Sequence, residues 1–342
     1  MRVLVTGGTG FIGSHTVAAL VRHGHEVTLL ARSPERVGPV LEPHGVEVEV
    51  VAGDVTDRRS VVAALDGCDA VVHAAGEIPL GSGPMTNVNV LGSRTVIGEA
   101  VDRGLDPIIY TSTMTVYLPT SEAIITSSSD LATPRSAYGA SKQEVELFVR
   151  ALQTEGAPVV SFMLGGVYGP TSPHLEGSFH AVVSALDSMM LTPPGGAGIV
   201  DVRDVADMLT RAVEPGRGPR RYLAGGHYLS WTEWTDLLSK AAGVDVRRQV
   251  VSVEQMVELG RAFDEQRQRG QVVDIPLSEE AARIMTGCVP TDDSGTLSDL
   301  GVCYRPLIET LGDTVDYLRS IGRIPDSGAP PCSKDPGSES TR

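Results

Sequence analysis

The chain has 342 residues, 41% of them hydrophobic, enough for one large α/β unit with an appended lobe. Its 28 basic against 43 acidic side chains leave a net charge of −15 with no Lys/Arg cluster, which argues against a nucleic-acid or anionic-membrane partner. No apolar run approaches the ~18 residues of a membrane helix, and the opening Val-Leu-Val is too short for a secretory core, so a soluble cytoplasmic protein is expected.

In chain order, short apolar runs alternate with helical patterns. Strands are predicted at 2–6, 25–31, 47–52, 69–74, 107–113 and 158–165, and helices at 12–23, 58–66, 86–103 and 138–154. Continuous Val/Ile-rich runs suit strands covered on both faces. The alternation predicts an α/β fold with a doubly wound parallel sheet, a dinucleotide-binding domain spanning 1–165. Beyond 166, Pro and Gly become frequent and the alternation fades. This predicts a smaller substrate-binding lobe over 166–326, with 197–225 returning to the main unit through a helix at 202–213 and a strand at 220–224. Helices at 231–242 and 253–269 follow, the second as a charged, solvated face. Residues 327–342 are Pro/Ser/Gly-rich and should be disordered. Cys68, Cys288, Cys303 and Cys332 are scattered without Cys-x-x-Cys, and no His-Glu-x-x-His occurs, so neither a metal site nor a disulfide framework is indicated.

The first strand runs into Gly7, Gly8, Gly10 and Gly13 and then into a helix. Gly7 permits a tight turn, Gly10 lets the backbone approach a pyrophosphate, and Gly13 allows close helix–strand packing. The helix N-terminus at Phe11 and Ile12 offers backbone N–H groups and a partial positive charge to phosphates. The second strand ends at Ala31 without the acidic residue that suits the ribose hydroxyls of NAD, and Arg32 follows at once. A guanidinium there suits the 2′-phosphate of NADP(H), with NAD(H) as the alternative.

Tyr138 and Lys142 stand four apart, on one face of a helix. A phenol titrates near pH ~10, so proton exchange at neutral pH needs a downward shift of roughly three units, about 4 kcal/mol. A unit charge ~4 Å away at an effective dielectric of ~20 supplies roughly that much.

With Gly7-x-x-Gly10-x-x-Gly13, Thr111-Ser112-Thr113 and Tyr138-x-x-x-Lys142 in this order, the sequence resembles the extended short-chain dehydrogenase/reductase family. The likeness runs over roughly residues 1–325 and is densest over 1–170. It implies that Asp54 and Val55 contact adenine, and that Ala74, Ala75 and Gly76 pass under the cofactor. It further implies that Asn89 holds a helix bend and a proton-relay water, and that Gly165 lies at the nicotinamide end of the sixth strand. Val167-Tyr-Gly-Pro170 and Asp201-Val-Arg-Asp-Val-Ala206 resemble later family signatures. Thr113 falls where the family usually has its catalytic Ser, and strand alternation turns Ser112 to the other face. The helices at 86–103 and 138–154 would, by the same resemblance, pair across a homodimer interface.

The departures concern the substrate. Met114 and Thr115 stand where dehydratases of the family have Asp-Glu, Met163-Leu164 replaces a frequent Arg-Pro, and Gly166 a frequent Asn. Pro194–Val200 lacks the basic and aromatic residues of a sugar-diphosphate binder. His174 and His180 are candidates for the substrate cleft, whereas His15 and His73 read as packing or hydrogen-bonding residues. The expected activity is that of an NADP(H)-dependent carbonyl reductase or alcohol dehydrogenase on a fairly apolar ketone or aldehyde, most like the dihydroflavonol-reductase and hydroxysteroid-dehydrogenase branches. The alternatives are an NAD-dependent sugar-nucleotide epimerase and, from another class, a non-catalytic NADP-sensing regulatory protein.

Overall fold

The computed structural model describes residues 1–77, 88–134, 137–175, 177–273, 275 and 277–326. The expected disordered tail at 327–342 lies outside the described residues. In the first part, β1 (Arg2–Thr6), α1 (Phe11–Arg22), β2 (Glu26–Ala31), α2 (Val37–Leu41), β3 (Glu49–Ala52), α3 (Arg58–Ala64), β4 (Ala70–His73), α4 (Ser93–Asp102), β5 (Ile108–Thr113), α5 (Ala137–Thr154) and β6 (Val159–Leu164) alternate. There follow β7 (Gly166–Tyr168), α6 (Gly177–Asp187), β8 (Met190–Thr192), β9 (Gly196–Asp201), α7 (Val202–Arg211), β10 (Arg220–Ala224), β11 (His227–Ser230) and α8 (Trp231–Ala242). The described chain ends with β12 (Arg248–Val250), α9 (Val253–Gln268), α10 (Glu279–Gly287), α11 (Ser294–Leu300) and α12 (Leu307–Ser320).

Seven strands form one parallel sheet in the order β10-β6-β5-β4-β1-β2-β3. The order reverses at β1, and it is beyond the carboxyl ends at such a reversal that doubly wound sheets bind ligands. One face, with Val3, Val5, Leu29, Val72, Ile109, Val160 and Phe162, packs against α1 and α7. The other, with Leu4, Val71, Ile108 and Val159, packs against α3, α4 and α5. The predicted strands of the first part agree with those observed to within about two residues at their ends.

The lobe is built on a second sheet, β11-β9-β7, against which α6, α8 and α12 bury Phe179, Trp234, Leu311 and Val315. Of the stretch 197–225, α7 packs on α1 and β10 pairs with β6, whereas β9 belongs to this second sheet. Helix α8 starts at a reciprocal cap between Ser230 and Glu233 and ends at Gly243 in the left-handed region, which is why its limits were legible. Helix α12 was missed for a physical reason. Thr310 and Thr314 occupy buried positions of its inner face, where Thr310 Oγ1 donates to Asp201 Oδ2 (2.9 Å) and Thr314 Oγ1 accepts from the Gly169 N–H (2.9 Å). Two polar residues among Leu311, Val315 and Leu318 blur the apolar period.

Candidate active site

The glycine turn is held by its own close packing. Gly7 has φ +77°, and a Cβ there would lie 2.5 Å from the Ala75 nitrogen, so the turn rests directly on the segment after β4. A Cβ on Gly13 would meet the Gly7 carbonyl oxygen at 2.1 Å, which locks helix α1 against the turn. Among the described residues beyond its chain neighbours, a Cβ on Gly10 would come within 4 Å of that same oxygen alone, at 3.2 Å, at the helix N-terminus. No described side chain caps that end, and its first turn carries no acid. The cradle therefore fits a dinucleotide pyrophosphate. The Phe11 side chain is turned away into the lobe core against Phe179 (ring centroids 5.1 Å), so only its backbone can face a phosphate.

Beyond β4, Gly76 sits beside both Asn89 and Lys142: a Cβ on it would lie 3.3 Å from Asn89 Oδ1 and 3.4 Å from Lys142 Nζ. Asn89 lies in a π-helical turn, Val88–Gly92, ahead of α4, and this is the helix bend that the resemblance implies. Its Oδ1 accepts from the Glu77 N–H (2.8 Å), and its Nδ2 donates to the Glu77 carbonyl (3.0 Å) and to Ser141 Oγ (3.3 Å). Ser141 in turn donates to the Tyr138 carbonyl (2.8 Å), tying the turn to the start of α5. Val55 is buried and covers the same turn, where a Cβ on Gly92 would strike Val55 Cγ2 at 2.7 Å.

Lys142 is 9% exposed, and burial pushes its ammonium down to about 8. It lies over the Tyr110 ring, with Nζ 5.6 Å from the centroid. Tyr110 belongs to a polar row that crosses four strands in register: Thr6 opposite His73, His73 opposite Tyr110, Tyr110 opposite Ser161. His73 is fully buried between Thr6 Oγ1 (2.7 Å) and Ser93 Oγ (2.9 Å) and stacks on Tyr110. Burial, then the nearby Lys142 cation, lowers it to about 3, so it is neutral. Tyr110 is held above the ordinary phenol range by burial, then by the Glu146 carboxylate and by Tyr138. Tyr138, half-buried in the first turn of α5, and Lys142 thus both bear on one buried ring.

At the end of β5, Ser112 is 5% exposed on the α5 side beside the Tyr110 hydroxyl, although the two make no hydrogen bond of good geometry. Thr113, the last residue of the strand, is half-buried. Its Oγ1 accepts from the Thr115 N–H and lies 3.2 Å from Thr115 Oγ1. Thr115 and Tyr110 were not singled out as site residues in the sequence. Two-residue spacing from Thr113 and Ser112 is the signal that finds them.

Arg32 follows β2 and is exposed, and its charge bears on Asp54, which is held below the usual carboxylate range mainly by hydrogen bonds from the Thr56 N–H and hydroxyl against the opposing cost of burial. His174 does not join the substrate side. Its Nε2 accepts from Arg36 Nη2 (3.3 Å), on the β2 side of the sheet, three strands from β5. Gly165 packs on β10 so tightly that a Cβ would meet the Gly225 carbonyl oxygen at 2.3 Å. It also borders a narrow slot of about 20 Å³ whose walls include Met114, Leu118, Tyr228, Cys288 and Val289. The slot begins one residue beyond Thr113. Its far wall is a strap at 288–292 pinned to the loop after β5, where Ile125 N–H donates to the Pro290 carbonyl and Asp292 N–H to the Ile125 carbonyl.

The NAD dependent epimerase/dehydratase family matches residues 3–225, from β1 through β10. The chain belongs to this family. The membership agrees with the extended short-chain dehydrogenase/reductase pattern of its motifs and makes a nicotinamide dinucleotide its cofactor. A UDP-glucose 4-epimerase of Neisseria meningitidis is 34% identical over 186 residues, 51% of this chain and 55% of that protein. The chain thus spans about half the length of the epimerases it matches. Sterol demethylase protein B of Methylococcus capsulatus is 25% identical over 95% of this chain and the whole of that protein. Among solved structures, a UDP-glucose-4-epimerase from Stenotrophomonas maltophila with bound NAD and formylated UDP-arabinopyranose superposes with a TM-score of 0.74 at 21% identity, covering 94% of this chain and 99% of that one. That likeness establishes the fold. Among the described residues no helix is long and apolar enough to cross a membrane.

Proposed function

We propose that this protein is an NAD(P)-dependent oxidoreductase that interconverts a carbonyl and an alcohol on a small to medium, fairly apolar substrate. The observation that carries the reading is the meeting of Gly76, Asn89 and Lys142 beside the glycine turn, with Tyr138 one helical turn before Lys142. When bound, the cofactor supplies the hydride or accepts it. The Gly7–Gly13 turn holds the pyrophosphate, Lys142 the nicotinamide ribose hydroxyls, and Arg32 favours a 2′-phosphate, hence NADP(H) over NAD(H). Tyr138 gives its proton to the substrate oxygen, and Lys142 makes that loss easier while it is charged. Thr113 donates to the same oxygen, with Thr115 orienting its hydroxyl. Asn89, fixed by Glu77 and Ser141, stands where a proton can be returned from solvent.

The apolar slot after Thr113 and the full-length likeness to a protein named for sterols support the apolar substrate. A sterol-sized molecule exceeds the slot as it stands, so the chemical character of the walls, not their volume, is the support. The test is a spectrophotometric screen of NADPH against NADH oxidation across ketones and aldehydes, repeated with Tyr138→Phe. Turnover should fall by at least two orders of magnitude in the variant while NADPH binding is retained. Because Lys142 titrates at about 8, reduction by the native protein should also decline as pH rises through that value. Unchanged turnover in Tyr138→Phe refutes the assignment.

A second reading, sugar-nucleotide epimerisation through the same tyrosine with retained NAD⁺, is favoured by the names of the relatives matched over the cofactor-binding half. On substrate class those names favour a nucleotide sugar and the slot lining an apolar molecule, and assays on the two classes separate the readings. Purified protein that carries NAD⁺ and interconverts UDP-sugars without net cofactor consumption would establish it. Cofactor binding with neither activity would leave a non-catalytic sensor.

A further inference from the structure

His174 ends up far from β5 because the loop that carries it crosses the dinucleotide-binding half. The loop leaves β7 and passes over α1, where His15 Nε2 meets the Pro170 carbonyl oxygen at 3.0 Å. Burial, then His44, lowers the His15 ring to about 4, so it is neutral and donates to that oxygen. Further along, the Tyr317 hydroxyl donates to the Ser172 carbonyl (2.5 Å), and Ser172 Oγ donates to the His174 carbonyl. Within this stretch Thr171 has φ +59°, the one non-glycine residue with a positive φ among the described residues. A β-branched residue takes that conformation only where its surroundings hold it, and such outliers gather at ligand clamps.

The loop ends at a basic corner. His174 Nε2 accepts from Arg36 Nη2 (3.3 Å), and Arg36 closes a short turn, Pro34–Arg36, that follows β2 and rests against β3. Neither Arg32 nor Arg36 has a carboxylate in ion-pair contact among the described residues, although the chain carries 43 acidic against 28 basic side chains. A guanidinium that donates to a neutral ring keeps its charge uncompensated. In the sheet, β2 and β3 lie on one side of β1, and β4 and β5, which lead to Gly76 and Thr113, lie on the other. A dinucleotide with its pyrophosphate at the Gly7–Gly13 turn and its nicotinamide toward Lys142 therefore places its adenosine ribose beyond β2, near this corner.

We propose that His174 is a specificity-determining residue for the cofactor: with Arg36 it holds the 2′-phosphate of NADP(H), so that the lobe, and not only the end of β2, reads that group. The inference rests on the NADP(H) preference proposed above and adds to it a residue from another part of the fold. A phosphate offers acceptors to a guanidinium fork and to an imidazole at once, and it gives Arg36 an anion in place of a neutral ring. NAD(H) brings only a hydroxyl to the same place and leaves the Arg36–His174 contact as it is.

The probes are adenosine 2′,5′-bisphosphate and 5′-AMP, which differ only in the 2′-phosphate, titrated calorimetrically into the full chain. The native protein should prefer the bisphosphate by at least about tenfold. His174→Ala should lower that preference by about tenfold and leave 5′-AMP binding unchanged. His174→Lys, which returns a cationic donor on a longer stem, should restore most of it. Damage to the fold weakens both nucleotides alike, so the ratio of the two affinities isolates the contact with the phosphate. A ratio that stays native in His174→Ala overturns this inference, and if it falls in Arg32→Ala the NADP(H) preference still stands. A native protein that binds the two nucleotides equally overturns both. No substrate enters the measurement, so the carbonyl-reductase reading is tested separately.

Discussion

The two faces of the seven-stranded sheet are built from different chemistry. Under α1 and α7 the strands present Val, Leu, Ile and Ala, joined by Phe162 against Tyr222. Under α4 and α5 the same strands carry Thr6, His73, Tyr110 and Ser161 in one row, with Lys142 and Glu146 pressed on it from above. The first face gains stability from every residue it buries. The second gives some back, because a cation kept dry is costly to fold. Apolar packing and buried polar groups are thus segregated on opposite sides of the same strands.

That division can be broken by mutation. Phe162→Ala on the aliphatic face should cost about 3–5 kcal/mol in denaturant unfolding, while turnover per folded molecule stays near native. A loss of turnover matching the loss of stability would show that the faces are not separable. On the polar face, Lys142→Met should abolish turnover yet stabilise the cofactor-free protein. The fall from 10.5 to about 8 corresponds to about 3 kcal/mol at pH 7. The sign follows from proton uptake: between about 8 and 10.5 the unfolded chain holds a proton that the folded one lacks, so native stability rises with pH there. The advantage of the Met variant should therefore shrink across that window and be gone above it. Thermal melts of both proteins from pH 7 to 10.5 check this, and a Met variant that is less stable at pH 7 contradicts it. The smallest effect is expected at Gly76→Ala. Its methyl group would press Asn89 Oδ1 and Lys142 Nζ by a few tenths of an ångström, leaving the melt within about 1 kcal/mol of native while lowering turnover roughly tenfold. Parallel melts and initial rates sharpen the comparison by separating a fault in geometry from one in folding.

Much of this was readable in the residues. Strands such as Val3–Val5 and Val71–Val72 announce burial on both faces, and Gly7 and Gly13 announce a tight turn with a helix packed closely on it. The juxtaposition of Asn89 with Lys142 was not readable, because 53 residues separate them and only the π-helical turn brings Asn89 to Gly76. Nor was the side of the cleft to which His174 goes, since the loop after β7 crosses to Arg36 rather than staying beside β5. The lobe was the least legible part. Its strands of three to six residues carry Gly196, Gly198 and Gly166 where backbones pack face to face, and such positions have no apolar period to detect. The row from Thr6 to Ser161 is a property of register, which a single strand cannot reveal.

The short bridge between Ile125 and Thr291 bears on how such proteins can be recombined. The match to the family model ends at residue 225, yet the wall beside Thr113 is completed by a segment some 65 residues further on, seated on a loop inside the matched part. A chimera joined at 225 would keep the glycine turn and the Tyr138–Lys142 helix and lose the backbone pairing that walls the slot. An exchange that preserves the slot has to take the 118–131 loop and the 288–292 strap together.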